Sequence, residues 1–275
     1  MTTITMDRTP SAPQAPEVPE RFGPRPALRH ALAIGGRDLR HLTRNVQALV
    51  FVVFQPIMLV LLFNYVFGGA VRQPGIPYVQ YLIPGVVVQT LAFSSSFAGM
   101  SITQDLLSGA LDRFRSAPIA RSAVVLGRIM ADGLRMGLTT LVVVAVGMAI
   151  GFRFEAGLLP AVAAVLLAVA FGWAMSWIGM SIGLALRDPE AVQASAFVWM
   201  FPLVFASSAY VPVSTMPGWL QAFVKVNPIS IVAETLRALM LGGPAASHVL
   251  QALAWIAAIT VVFFTLTVRQ YRRLT

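Results

Sequence analysis

The chain has 275 residues, of which 57% are hydrophobic and only 11% charged, and its mean hydropathy is +0.76. An ordinary soluble domain carries about 25% charged residues, so this composition excludes one and points to a polytopic membrane protein. The net charge of +9 comes from 20 Lys+Arg against 11 Asp+Glu, and Lys225 is the only lysine.

Nucleic acid is not an expected partner, because apolar stretches of about twenty residues separate the basic residues instead of one face gathering them. With no cysteine there is no disulfide, thiolate metal site or cysteine nucleophile. No glycine-rich P-loop precedes Lys225, so any ATP-driven work needs an ATPase on another chain. The arginine-rich, lysine-poor usage points to a high-GC bacterium.

Residues 1–20 carry Pro10, Pro13, Pro16 and Pro19 among small and acidic residues, without the apolar run of a signal peptide. They read as a disordered cytoplasmic tail. Residues 21–47 turn amphipathic. Leu28, Ala31, Leu32, Leu39 and Leu42 recur on one side, and Arg29, Arg37, Arg40 and Arg44 share a sector of the other. Such a helix is expected to lie in the membrane interface, its arginines near lipid phosphates.

The remainder, 48–275, is expected to be all-α. Six segments are long enough to cross a hydrocarbon core of about 30 Å. They are 48–67, 81–102, 133–151, 158–180, 192–210 and 250–268. Sixteen of the basic residues fall on the side of the two termini, against Arg72, Arg153, Lys225 and Arg237 on the other. The positive-inside rule makes the first side cytoplasmic.

The loop 103–123 is expected to contain a short amphipathic cytoplasmic helix over 104–115, ended near Pro118. Leu106, Leu107, Leu111 and Phe114 give it an apolar face suited to a groove on a cytosolic partner. Outside, Pro217 and Pro228 divide 211–248. Asn227-Pro228 reads as an N-cap followed by proline at the first helical position. Ile229, Val232, Ala233, Leu236 and Met240 line one face of the helix that follows, and Gly242-Gly243 stops it. At thirteen or so residues it is too short to span, so a pair of helices dipping into the outer leaflet is expected.

The spans offer little chemistry. Arg128, Asp132 and Arg135 sit where span three begins, with Arg128 and Asp132 spaced to pair at i, i+4. No ionisable residue is placed near a midplane, which argues against an ion-coupled carrier. His30, His41 and His248 lie outside the spans, so Ser94-Ser95-Ser96 has no base for hydrolysis. The serine triplet serves either close helix packing or the lining of a pathway. Gln89, Phe93, Ser94 and Phe97 of span two and Phe197, Met200, Phe201 and Phe205 of span five suit a flat hydrophobic substrate, although core and lipid-facing positions want the same aromatics. Pro202 should kink span five.

Three stretches then resemble a known family. They are Ser108-Gly109-Ala110-Leu111-Asp112-Arg113-Phe114-Arg115-Ser116-Ala117-Pro118-Ile119-Ala120-Arg121 through Leu126-Gly127-Arg128; Ile150-Gly151-Phe152-Arg153; and Arg187-Asp188-Pro189-Glu190-Ala191 through Val211-Pro212-Val213, Met216-Pro217-Gly218-Trp219-Leu220 and Asn227-Pro228-Ile229-Ser230 to Leu236-Arg237-Ala238-Leu239. In that order the chain resembles the membrane subunits of type-2 ABC exporters, the daunorubicin-resistance-like group in particular.

The resemblance implies a homodimer in the bacterial plasma membrane, bound to two copies of a nucleotide-binding subunit that holds the ATP and Mg. It implies contact with that ATPase through the interfacial helix and through Asp105, Leu106, Leu107, Asp112, Arg113 and Arg115. Spans two and five would line the route, and the outer helices would close its exit, with Trp219, Glu234 and Arg237 as gate candidates. The implied cargo is a hydrophobic small molecule, drug-like or lipid. Export of a lipid-linked glycan is the near alternative, and an ion-coupled carrier the distant one.

Overall fold

The computed structural model describes residues 46–69, 76–109 and 121–273, with side chains from 54 in the first stretch and from 132 in the last. Among the described residues every regular element is helical. Helix α1 (Val46–Leu62) continues through one π-helical turn, Phe63–Phe67. Then follow α2 (Tyr78–Leu107), α3 (Arg121–Ala149), α4 (Leu158–Leu186) and α5 (Pro189–Phe205). A 3-10 turn (Val213–Thr215) precedes two short helices, α6 (Gly218–Val226) and α7 (Pro228–Leu241), and α8 (Ala245–Arg273) ends the chain.

Among the described residues, four helices are long and apolar enough to cross a membrane: α2, α3 from Asp132, α4 and α8. The first apolar stretch of the described side chains, Phe54–Phe67, is shorter. Helix α5, at 17 residues, is at the lower limit of spanning length.

Local chemistry sets the boundaries. Asp188 caps α5, its carboxylate accepting from the Glu190 N–H at 3.0 Å, with Pro189 at the first helical position. Arg187 stops α4 in the left-handed region (φ 56), so α4 and α5 turn on two residues. Asn227 caps α7 through the Ile229 N–H at 2.9 Å, as its Asn-Pro pair predicts. Gly242 (φ 87) ends α7.

Three boundaries differ from the sequence expectation. Helix α3 starts at Arg121, well before 133, because helix propensity continues past the end of apolarity. Residues 104–107 form the last turn of α2 instead of opening a separate helix, and Gly109 (φ 64) turns the chain there. Residues 110–120, the remainder of that expected helix, lie outside the described residues, as do 1–45 with the tail and interfacial helix. Helix α5 stops at Phe205, not Tyr210, because side chains from elsewhere take up the carbonyls that would have continued it. Asn227 Nδ2 donates to the oxygens of Leu203 (2.7 Å) and Ala206 (2.8 Å). The Tyr81 hydroxyl donates to the oxygens of Ser208 (2.6 Å) and Val211 (3.1 Å).

Helix α2 is the axis of the bundle. Leu82, Ile83, Val86, Val87, Val88, Leu91 and Ala92 are fully buried or nearly so, and α4 is its main neighbour. Glycines let the two backbones meet: a Cβ on Gly179 would collide with the Ser95 carbonyl oxygen, and one on Gly183 with that of Gly99. Thr103 Oγ1 bridges the seam, donating towards the oxygens of Gly99 (2.9 Å) and Gly183 (3.1 Å). Helix α7 turns the expected face inward, with Ile229, Val232, Ala233, Leu236 and Met240 fully buried. Helix α8 is the opposite case: only 11% of its most apolar stretch is buried within the chain. Although it packs on α4 and α7, most of its apolar surface is left to surroundings outside this chain.

Candidate functional site

One face of α2 presents Gln89, Thr90, Phe93, Ser94 and Phe97 at helical spacing. It lines an open cleft with Gln55, Pro56 and Leu59 of α1 and Arg135, Met136 and Thr139 of α3. Pro56, inside α1, removes a backbone N–H from the helix beside the cleft.

The hydroxyls here point their protons at their own helices. Thr90 donates to the Val86 oxygen (2.8 Å), Ser94 to Leu91 (2.5 Å) and Thr139 to Arg135 (2.9 Å). Their lone pairs remain as weakly polar acceptors along otherwise apolar walls. Arg135 pairs with Asp132 at 3.2 Å, and its guanidinium lies 5.7 Å from the Phe97 ring centre. Asp132 is bound to Arg135; the side chain of Arg128, with which the sequence also spaces it to pair, lies outside the described residues.

An aromatic rail begins at this cleft. Phe93 meets Phe197 of α5 at 6.1 Å between ring centres. One turn on, Phe201 stacks on Phe205 (4.2 Å), which meets Tyr210 (5.7 Å). Tyr210 stacks on Phe63 (4.2 Å), and Phe63 on Phe67 (5.1 Å). Phe197, Phe201 and Phe205 are each about half exposed, at 54%, 50% and 46%. Of the eight expected pathway residues, four line the cleft and three belong to the rail. Met200 turns the other way and is fully buried in the core.

Arg237 holds the far end. Its Nε donates to the Tyr81 oxygen (3.0 Å), and Nη2 to the oxygens of Ser208 (2.7 Å) and Ala209 (3.0 Å). Nη1 reaches Glu234 (2.8 Å) and the Ser208 hydroxyl (3.4 Å), and the guanidinium lies 3.5 Å from the Tyr81 ring centre. The Ser230 hydroxyl accepts from the Ser208 N–H at 3.1 Å. One residue of α7 thus ties the start of α2 to the unwound segment after α5. Trp219 stands apart on α6, 76% exposed.

Of the expected coupling residues, Asp105, Leu106 and Leu107 form the last turn of α2, with Leu107 66% exposed. Asp112, Arg113 and Arg115 lie outside the described residues, as do Arg29, Arg37, Arg40 and Arg44. Among the described residues no three His, Cys, Asp or Glu side chains gather as a metal site would require. Sequence reasoning missed Arg135 and Thr139 as cleft residues, along with Met136 between them. The first two are a signal in themselves, spaced i, i+4 on one face of α3.

A daunorubicin resistance ABC transporter permease of Streptomyces coeruleorubidus is 35% identical, over 91% of this chain and 90% of its own. A probable doxorubicin resistance ABC transporter permease of Mycobacterium tuberculosis is 27% identical, over 86% of each. A doxorubicin resistance permease of the same organism is 29% identical, over 70% of this chain and 66% of its own. Residues 29–241 match the ABC-2 type transporter family. A chain whose described residues form a helical bundle with four helices long and apolar enough to cross a membrane, matched over most of its length, is a multi-pass membrane protein that belongs to the ABC-2 type transporter family.

Proposed function

We propose that this chain is the permease subunit of an ATP-driven exporter that moves a hydrophobic small molecule out of a bacterial cell. Membership of the ABC-2 type transporter family, in a chain with no glycine-rich P-loop before its one lysine, supports an ATPase on a separate subunit. The observation that carries the cargo reading is the meeting of cleft and rings: weakly polar walls from three helices reach, through Phe93 and Phe197, the half-exposed rings of α5, and Phe205 leads on to the buried Tyr210 and to Phe63 and Phe67. Ring faces hold flat apolar molecules without fixing them in one register, which suits a route better than a tight site. The relatives named for daunorubicin and doxorubicin resistance support a drug-like cargo.

In this proposal the six segments all cross the membrane, α1 and α5 included, and both termini are cytoplasmic by the arginine asymmetry. Residues 1–20 form a tail, 21–47 an interfacial helix and 48–275 the membrane domain, with α6 and α7 in the outer leaflet. Two copies of the chain pair, and two ATPase subunits hold ATP and Mg beneath them. Asp105, Leu106, Leu107, Asp112, Arg113 and Arg115 meet the ATPase. Its closure shifts the two halves between inward- and outward-open arrangements, a population shift driven by nucleotide. Arg237, with Glu234, keeps the outer end shut between cycles.

Purification of the chain from its native membrane tests this reading. A nucleotide-binding subunit should come with it in equal amount, and hydrolysis should rise with hydrophobic drugs. Reversing charge at Arg113 and Arg115 should release the ATPase and leave membrane insertion intact. A chain that purifies alone and transports on an ion gradient would sink the proposal.

A further inference from the structure

Helix α6 has two apolar faces, and the described chain covers only one of them. Val224 is fully buried and Leu220 half-buried, and α7 is the main neighbour of α6. Trp219, Phe223 and Val226, spaced i, i+4 and i+7, form a second stripe that is 76%, 43% and 60% exposed. At roughly 100° per residue, this stripe, the covered face and Lys225 point in three directions about 120° apart. Among the described residues no acidic group pairs with Lys225. Gln221, the other polar side chain of α6, donates back to the Met216 oxygen at 2.9 Å.

Asn227 sets the depth of α6. It ends that helix, caps α7 and is only 2% exposed. Its Nδ2 holds the Leu203 and Ala206 oxygens, and Leu203 lies about 3 Å inside the end of α5. The end of α6 is therefore level with the last turn of a helix that the proposed function places across the membrane. Tryptophan at the interface and lysine at phosphate level suit that depth.

We propose that α6 is a latch held by outer-leaflet phospholipid. Trp219, Phe223 and Val226 sink among the acyl chains, the Lys225 ammonium meets the phosphates, and Asn227 passes that hold to the end of α5. The inference rests on placing α6 in the outer leaflet and adds which face, which lipid group and what they restrain. The three directions match protein beside, acyl chains below and headgroups above. Three side chains offer far less than the roughly 800 Å² per partner of a stable protein interface.

The chain has no cysteine, so Phe223→Cys carries a single nitroxide. The full chain is placed in nanodiscs of phosphatidylcholine with phosphatidylglycerol. Oxygen should relax the label more than a water-soluble nickel chelate does, at a depth of about 5–10 Å into the headgroup–acyl boundary. Lys225→Glu should raise the label towards water, because the carboxylate is repelled by the phosphates. Amide hydrogen exchange over residues 203–209 should then quicken by about tenfold or more, and likewise in Trp219→Ser/Phe223→Ser. Asn227→Asp keeps the acceptor for the Ile229 N–H and loses the amide that donates to α5. It should quicken the same amides while the label stays at its depth.

A label that nickel reaches more readily than oxygen puts the stripe in water and overturns the proposal. Spin–spin broadening with both reagents excluded assigns the stripe to a second copy and does the same. So does an unchanged depth in Lys225→Glu, or slow exchange over 203–209 once the label has risen. Neither ATPase nor cargo enters, so failure here is distinct from failure of the export reading.

Discussion

Arg237 commits all five of its N–H donors, three of them to backbone carbonyls of Tyr81, Ser208 and Ala209. Arg237→Leu would leave those oxygens buried with fewer donors, at a cost of about 1–3 kcal/mol for each one orphaned. Thermal unfolding in nanodiscs should show a loss of roughly 3 kcal/mol or more. Arg237→Lys should recover less than half of it, since an ammonium keeps the charge without the fork. Glu234→Gln should cost under about 1 kcal/mol, because the Glu234 side chain is 37% exposed and the carbonyl bonds do not depend on it. A loss in Glu234→Gln as large as that in Arg237→Leu would show that the ion pair, not the carbonyl clasp, holds this corner.

Between elements, the α2–α4 seam decides how rigid the bundle is. Gly179→Ala would drive a methyl into the Ser95 carbonyl, and a backbone atom yields less readily than a flexible side chain. Overpacking of this kind costs about 1–3 kcal/mol, and here it parts the two most closely packed helices. Gly137→Ala on α3 is the control: a Cβ there meets nothing within 4 Å, so helix propensity should make it stabilising by up to about 1 kcal/mol. Opposite signs in the unfolding temperatures of the two variants are the expected outcome.

This is also the scale at which the sequence was most and least legible. Long apolar runs showed where α2, α4 and α8 lie, and Asn227-Pro228 located the start of α7 to the residue. The end of α5 was hidden, because residues 206–211 contain no proline, glycine or charge to mark a stop. What unwinds them is Asn227 and Tyr81, which capture their carbonyls from far along the chain. The α2 wall of the cleft was readable because one helix has one period. Arg135 and Thr139 depended on how α3 docks, which no local pattern encodes. Met200 fell on the wrong face of α5 for the same reason: composition selects an aromatic and sulfur-rich stretch without saying which side is covered.

For the whole molecule, the rail and the Arg237 clasp share a residue. Tyr210 stacks on Phe63 in the rail, while its backbone oxygen accepts from the Tyr78 hydroxyl at 3.1 Å within the segment that Arg237 holds. Any release of that segment must move Tyr210, so freeing the segment and breaking the ring stack are one event. Export then has a checkable division of labour. Phe201→Ala with Phe205→Ala should leave binding at the cleft unchanged, because neither ring lines it. The same pair should slow ATP-driven efflux from inside-loaded proteoliposomes, carrying the partner ATPase, by about tenfold, as loss of about 1.4 kcal/mol along a route would. Both rings are about half exposed, so little stability goes with them. Phe201→Leu with Phe205→Leu tests the ring itself: bulk without a π face should restore packing but not rate. If the leucine pair transports at the full rate, the rail acts only as an apolar wall; if the alanine pair does too, cargo leaves by another path.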